Sequence, residues 1–330
     1  MIGLIGALAC GLAVLPKGAD RALTHATTRF LGIAITLATL AALGILLSRT
    51  LEMNGGAWAT LFSNMWPALT VTHFGHVWLW RIPALAMLWL AWGWSRRRPG
   101  HAWTGWLMVL AIAAIALTRS ETGHPADHGD FTIAVWVDWA HILAAGTWVG
   151  SLFGMSLAVF PKLLRRADRP LEQSAEIFQR LSTLSGAALA VLLACGIYNA
   201  IQQLGSFAAL WTSQYGIILD IKLAIVLTMI AIGAHNRYSK LPRLRRAAGL
   251  PAGPSWAERL FRNGLQNTAR HDRERIIGAC ARAVLLESVL GFAVIGATAA
   301  LIHATPPADI RVMSHGTSAT SPSGSGGDMP

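Results

Sequence analysis

Long apolar runs alternate with short polar ones along the chain, and eight of these runs are each about long enough to cross a hydrocarbon layer of roughly 30 Å. They predict helices at about 1–16, 28–48, 76–95, 102–118, 134–160, 183–204, 216–236 and 280–302. Strands are excluded as the spanning elements, because an open strand leaves its backbone unsatisfied in lipid. The expected fold is all-α: a polytopic integral membrane bundle of about eight transmembrane helices. Composition agrees, since 54% hydrophobic and 13% charged residues among 330 cannot make a water-soluble globule. By eye the spans contain no internal repeat, so the inverted-repeat signature of many secondary transporters is absent.

The polar connections carry the orientation. Lys17, Arg21 and Arg29, then Arg96 to Arg98, then Lys162, Arg165, Arg166, Arg169 and Arg180, and finally eleven residues between Arg237 and Arg282 place 22 of the 27 basic side chains on alternate loops. Retention of Lys and Arg on the cytoplasmic side then implies that the N and C termini are both outside. The first run has no basic residue ahead of it, unlike a cleavable signal peptide, and is expected to stay as a helix. Cys10 sits where a lipobox cysteine could, but the apolar run continues through Leu15 and favours a plain membrane-facing thiol. Cys10, Cys195 and Cys280 all lie in apolar runs without a CxxC, so neither a disulfide framework nor a zinc knuckle is available.

The expected domain plan is one transmembrane domain over 1–303 followed by a disordered Ser/Gly-rich periplasmic tail over 304–330. Within the domain, the basic cytoplasmic loop 237–282 contains an amphipathic stretch from Pro254 to Leu265 that reads as a helix lying on the membrane surface. The net charge of +11 is thus orientation and contact with anionic membrane lipid, and nucleic acid is not an expected partner. Most of the fourteen tryptophans, Trp58, Trp66, Trp78, Trp80, Trp136, Trp139 and Trp211 among them, are expected to be interfacial anchors.

Histidine has the opposite asymmetry: His73, His76, His124, His128, His141, His303 and His315 fall outside or in the outer half. Imidazole suits copper, zinc and haem iron, whereas guanidinium ligates none of them. The loop Thr122 to Asp130 carries His124, His128 and two carboxylates, and is either a divalent-metal loop or a solvated turn. His73 and His76 open the third span with i, i+3 spacing, which allows one shared helix face; they read equally well as interfacial polar residues. Asp138 and His141 lie inside the fifth span at the same spacing, so Asp138 is expected to accept from one ring nitrogen of His141 and free the other for a metal. A hydrogen-bonded pair that locks helices is the plainer reading of the same two residues. Met155 follows fourteen residues on, within about 40° of His141 around the axis, as a soft donor or an ordinary core residue. Asp220 and Lys222 in the seventh span each need a partner on another helix, Arg81 for Asp220 and Asp138 for Lys222 being reasonable. Glu287 in the last span is either a relay or a satisfied packing residue. Walker A, CxxCH, GxSxG, HExxH and dinucleotide motifs are missing, which leaves an enzyme reading without support.

The run Asp138-Trp-Ala-His141-Ile-Leu-Ala-Ala-Gly-Thr-Trp-Val-Gly150, the segment Arg180 to Ser185 leading to Cys195-Gly-Ile-Tyr-Asn199, and Trp211 to Gly216 followed by Lys222 and Asn236-Arg237 resemble the CopD copper-resistance membrane proteins. Glu287 and Pro306 fit the same pattern, and the likeness covers about 20–306. The resemblance implies a bacterial inner-membrane protein that moves copper from periplasm to cytoplasm, often beside a CopC-like periplasmic carrier, with His124 and His141 handling the metal. His73, His76 and His128 match no family motif and stand on local chemistry alone. Two alternatives remain: a b-type haem protein for transmembrane electron transfer, with His141 paired to His73 or His76, and an assembly scaffold for a copper enzyme.

Overall fold

The computed structural model describes residues 1–123, 126, 129–165, 170–204, 208–251 and 270–303. His124, His128, the amphipathic stretch 254–265 and the tail 304–330 lie outside the described residues. The described elements are helical: α1 (Ile2–Ala9), α2 (Arg21–Met53), α3 (Leu61–Val71), α4 (His73–Leu79), α5 (Arg81–Arg97), α6 (Ala102–Ser120), α7 (Ile133–Gly154), α8 (Phe160–Leu164), α9 (Leu171–Leu204), α10 (Ala209–Thr212), α11 (Gln214–His235), α12 (Leu241–Ala247) and α13 (Arg270–His303). Single π-helical turns at Cys10–Val14, Met155–Val159 and Asn236–Lys240 extend α1, α7 and α11.

Seven of the expected eight spans are long and apolar enough to cross a membrane: Arg21–Met53, His73–Arg97, Ala102–Ser120, Ile133–Leu164, Leu171–Leu204, Gln214–Ala247 and Arg275–Leu301. The eighth, Ile2–Val14, is a shorter apolar helix of about 20 Å at 1.5 Å per residue. It packs along α7 through glycines. A Cβ on Gly6 would overlap the backbone of Gly150, one on Gly150 would overlap the Ile2 carbonyl, and one on Gly146 would strike Ile5. Gly154 sits under the Cys10 thiol, which donates to the Ser151 carbonyl at 3.4 Å. In lipid no hydrophobic force drives helices together, so close backbone approach through small residues supplies the contact.

α7 is the centre of the bundle: 67% of the most apolar 18-residue stretch of Ile133–Leu164 is buried, against 6% of that of Leu171–Leu204 and 11% of that of Gln214–Ala247. One apolar core gathers α7, α9, α11 and α13 around Met155, Leu152, Met229 and Val284. The other joins α1, α2, α5 and α6 around Leu4, Ile35, Leu88 and Ala111. Thr72, Thr132 and Ser213 cap α4, α7 and α11 by accepting from the amides of Gly75, Val135 and Gly216.

Three helices run ten or more residues past one end of their expected spans, because the hydropathy pattern stops where charge begins and the fold does not. α9 starts at Leu171 rather than 183, the seventh span runs on to Ala247, and α13 starts at Arg270 rather than 280, so both ends of the expected loop 237–282 are helical. These extensions are amphipathic and bury Ile177, Phe178, Leu244 and Ile277 in the α7 core, with Phe178 stacked on Phe160 at 5.2 Å. Trp58, Trp66, Trp80 and Trp211 are exposed, as interfacial anchors would be. Trp78 and Trp139 are not of that kind: their indole N–H groups donate to the Ala42 carbonyl of α2 and the Ala113 carbonyl of α6, pinning helices together.

Candidate metal pathway

At the end of the bundle where α4, α7 and α11 begin, the last turn of α6 gathers most of the polar contacts. Arg81 is 3% exposed; its Nε donates to Thr118 Oγ1 at 2.8 Å, and its Nη2 to the Thr118 carbonyl at 3.1 Å and Thr122 Oγ1 at 3.3 Å. The expected Arg81–Asp220 pair is therefore replaced: the guanidinium is engaged by the C-terminal turn of α6. Arg81→Ala is expected to lower stability by roughly 1–3 kcal/mol by leaving these buried oxygens without a donor. A fall in the thermal midpoint in detergent would register it, and Arg81→Lys, lacking the fork, should recover only part.

Asp138 is likewise partnered otherwise than its spacing suggests. Its Oδ2 accepts from Ser120 Oγ of α6 at 2.8 Å, and no hydrogen bond joins it to His141. The carboxylate reaches across to α6 while the imidazole one turn on is directed at α9, where the Cβ position of Gly196 lies 3.9 Å from His141 Cε1. His141 Nδ1 is buried and has no hydrogen-bond partner. Lys222 of α11 lies within electrostatic reach of both Asp138 and His141, without an ion pair or hydrogen bond to either. Cys195, 9% exposed on α9, comes within reach of Asp138. Three helices, α7, α9 and α11, thus bring an unpartnered imidazole nitrogen, a carboxylate, a thiol and an ammonium into one region.

Nearer the surface, His73 Nε2 lies 3.3 Å from the Glu121 carbonyl and 3.5 Å from Asp130 Oδ1. His76 Nε2 is instead 2.8 Å from the Thr70 carbonyl, so the two exposed histidines do not share a partner despite their spacing. Glu121 is 4% exposed; its Oε1 accepts from the Phe131 amide at 3.1 Å and its Oε2 is buried without a partner. Glu121, Ser120 and Cys195 were not among the sequence candidates. Thr118 to Thr122 form an unbroken polar run ending a span, and that was the available signal for the first two; nothing local marks Cys195. Among the described residues no three His, Cys, Asp or Glu side chains converge as a metal cage.

A second polar cluster lies in the other half. Glu287, 4% exposed on α13, accepts from Asn236 Nδ2 at 2.6 Å, and its other oxygen approaches Gly233 so closely that a Cβ there would stand 3.4 Å away. Ser288 pairs with Ser156 at 2.8 Å. Both partners come from π-helical turns, Met155–Val159 and Asn236–Lys240, a feature common at functional sites. Met155 is fully buried in the apolar core next to Ser156, about 21 Å along the helix from His141. Asp220 is half-buried on α11, without a hydrogen bond to another described residue.

Residues 1–133 match the family described as "Copper resistance protein D-like, N-terminal domain" and residues 175–301 match "Copper resistance protein D". The chain belongs to the copper resistance protein D family. Similar proteins include the inner membrane protein YebZ of Escherichia coli, 29% identical over 59% of this chain and 64% of that protein. The copper transport protein CutJ of Bacillus subtilis is 27% identical over 71% of this chain and 43% of its own length. Copper resistance protein D of Pseudomonas syringae pv. tomato is 28% identical over 64% and 70%. The chain therefore spans less than two thirds of the first two relatives. No solved structure matches it. Membership in the copper resistance protein D family, the inner-membrane relative and the seven apolar spans make this a multi-pass protein of the bacterial inner membrane. The family is described by copper resistance and transport rather than by a reaction.

Proposed function

We propose that the protein carries copper from the periplasmic face to the cytoplasm, with His141 as the principal intramembrane ligand. The observation behind this reading is the buried, unpartnered Nδ1 of His141 beside Asp138 and Lys222. A polar atom at membrane depth without a hydrogen bond costs free energy, so it is expected where a ligand completes it. Both termini lie in the periplasm on this reading, which puts the basic helix ends in the cytoplasm. Copper is collected near His73, His76, His124 and His128, passes to His141, and leaves past Met155 toward Glu287. Asp138, Asp220 and Lys222 set the charge of the entrance. Few ligands at each station suit a carrier, since binding must be weak enough to release. A CopC-like periplasmic carrier would dock at the loops beside His73.

A haem shared by His141 with His73 or His76 would require breaking the Nε2 contacts of these two to the Glu121 and Thr70 carbonyls. Metal content and an optical spectrum of the detergent-purified chain from copper-fed cells test the assignment. Stoichiometric copper without a Soret band is expected. A Soret band with a sharp reduced α-band would replace transport by electron transfer, and the absence of both copper and haem would favour an assembly scaffold.

A further inference from the structure

α11 and α13 lie side by side, and at the basic end of the bundle they leave an open groove of about 600 Å³. Its walls come from one face of each helix. Thr228, Ala231, Ile232 and His235 recur on α11 at i, i+3, i+4 and i+7, and Ala279, Arg282, Ala283 and Leu286 do so on α13. The helices are antiparallel, so the cations cluster at one end: His235 and Lys240 from α11 and its π-helical turn, Arg282 from α13. The other end is alanine, isoleucine and leucine together with Thr228, whose hydroxyl is taken up by the Ala224 carbonyl at 2.9 Å, and Leu286 is 50% exposed to the outside.

The charge there is unbalanced. Lys240 Nζ donates to the Ala279 carbonyl at 3.3 Å, but Arg282 and His235 are exposed and have no hydrogen bond or ion pair to another described residue. Neighbouring arginines are engaged, Arg237 with Ser182, and Arg245 with Gln179 and the Pro251 carbonyl. Among the described residues no carboxylate lines the groove; the nearby Glu287 is turned inward to Asn236. An apolar channel ending in two or three cations is complementary to one kind of bilayer molecule, in which an acyl chain continues into an anionic phosphodiester.

We infer that this groove is a binding site for an anionic phospholipid of the cytoplasmic leaflet, whose chain lies on the alanine wall and whose phosphate is held by Arg282 with His235 and Lys240. The inference is independent of the copper route. Native mass spectrometry of the full chain in detergent tests it, with phosphatidylglycerol, phosphatidylcholine and inorganic phosphate as probes. Each basic residue near such a surface contributes about 1 kcal/mol, or roughly fivefold in affinity. Wild type should therefore bind phosphatidylglycerol at least about fivefold more tightly than phosphatidylcholine. Arg282→Gln should cut that preference by about fivefold, and Arg282→Lys should restore most of it. Because Arg282 is exposed, both variants should elute as wild type does. Equal binding of the two lipids, an unchanged preference in Arg282→Gln, or displacement of phosphatidylglycerol by excess inorganic phosphate would each overturn the assignment.

Discussion

Replacing His141 with alanine is expected to cut copper accumulation by at least about tenfold while the protein still reaches the membrane. Loss of groups that merely support a metal ligand costs 10–100-fold in metal affinity or activity, and loss of the ligand itself should cost no less. The folding cost should be small, because the imidazole makes no hydrogen bond that alanine would break and its Nδ1 is already unpartnered. His141→Gln keeps the volume and some polarity without an imidazole nitrogen, so it should fail in transport as alanine does. Radiolabelled copper uptake, normalised to the amount of protein in the membrane, checks both. Wild-type uptake in either variant would remove His141 from the route, and loss of the protein itself would mean that the residue locks helices together.

Gly150→Leu is expected to have the largest effect on folding, roughly 3 kcal/mol or more. Every atom beyond Cα at position 150 points into the backbone of Ile2 and Gly6, which cannot yield as a flexible side chain does. The short first helix would have to leave α7, exposing Gly146 and Cys10 along the same seam. A lowered thermal midpoint in detergent and reduced membrane content should follow. Gly44→Ala is the matched control, since its Cβ meets nothing within 4 Å and it should leave the midpoint unchanged or slightly raised. Equal midpoints for Gly150→Leu and wild type would refute the close packing of α1 on α7.

The helical spans were readable because apolar length in lipid is nearly a sufficient condition for a helix. Periodicity also drew attention to Asp138 and His141, two ionisable residues where lipid tolerates few. Their partners were not readable. Helical spacing suggested that Asp138 would orient His141, yet Ser120 on α6 takes the carboxylate. It suggested a shared role for His73 and His76, which turn to different carbonyls. The tryptophans divide in the same way: composition placed them at the interface, and only the packing of α2 and α6 shows that Trp78 and Trp139 join helices.

By itself the sequence determined a helical membrane bundle and the resemblance to the copper resistance protein D family. Each follows from properties summed over many residues, which no single contact can reverse. The tertiary structure decided that α7 is central, that a glycine seam joins a short helix to it, and that His141 meets Gly196, Lys222 and no hydrogen-bond donor or acceptor. These depend on which helix faces which and at what rotation. Neighbours on other helices are set by close packing between segments far apart in the chain, and a one-dimensional pattern carries no record of that distance.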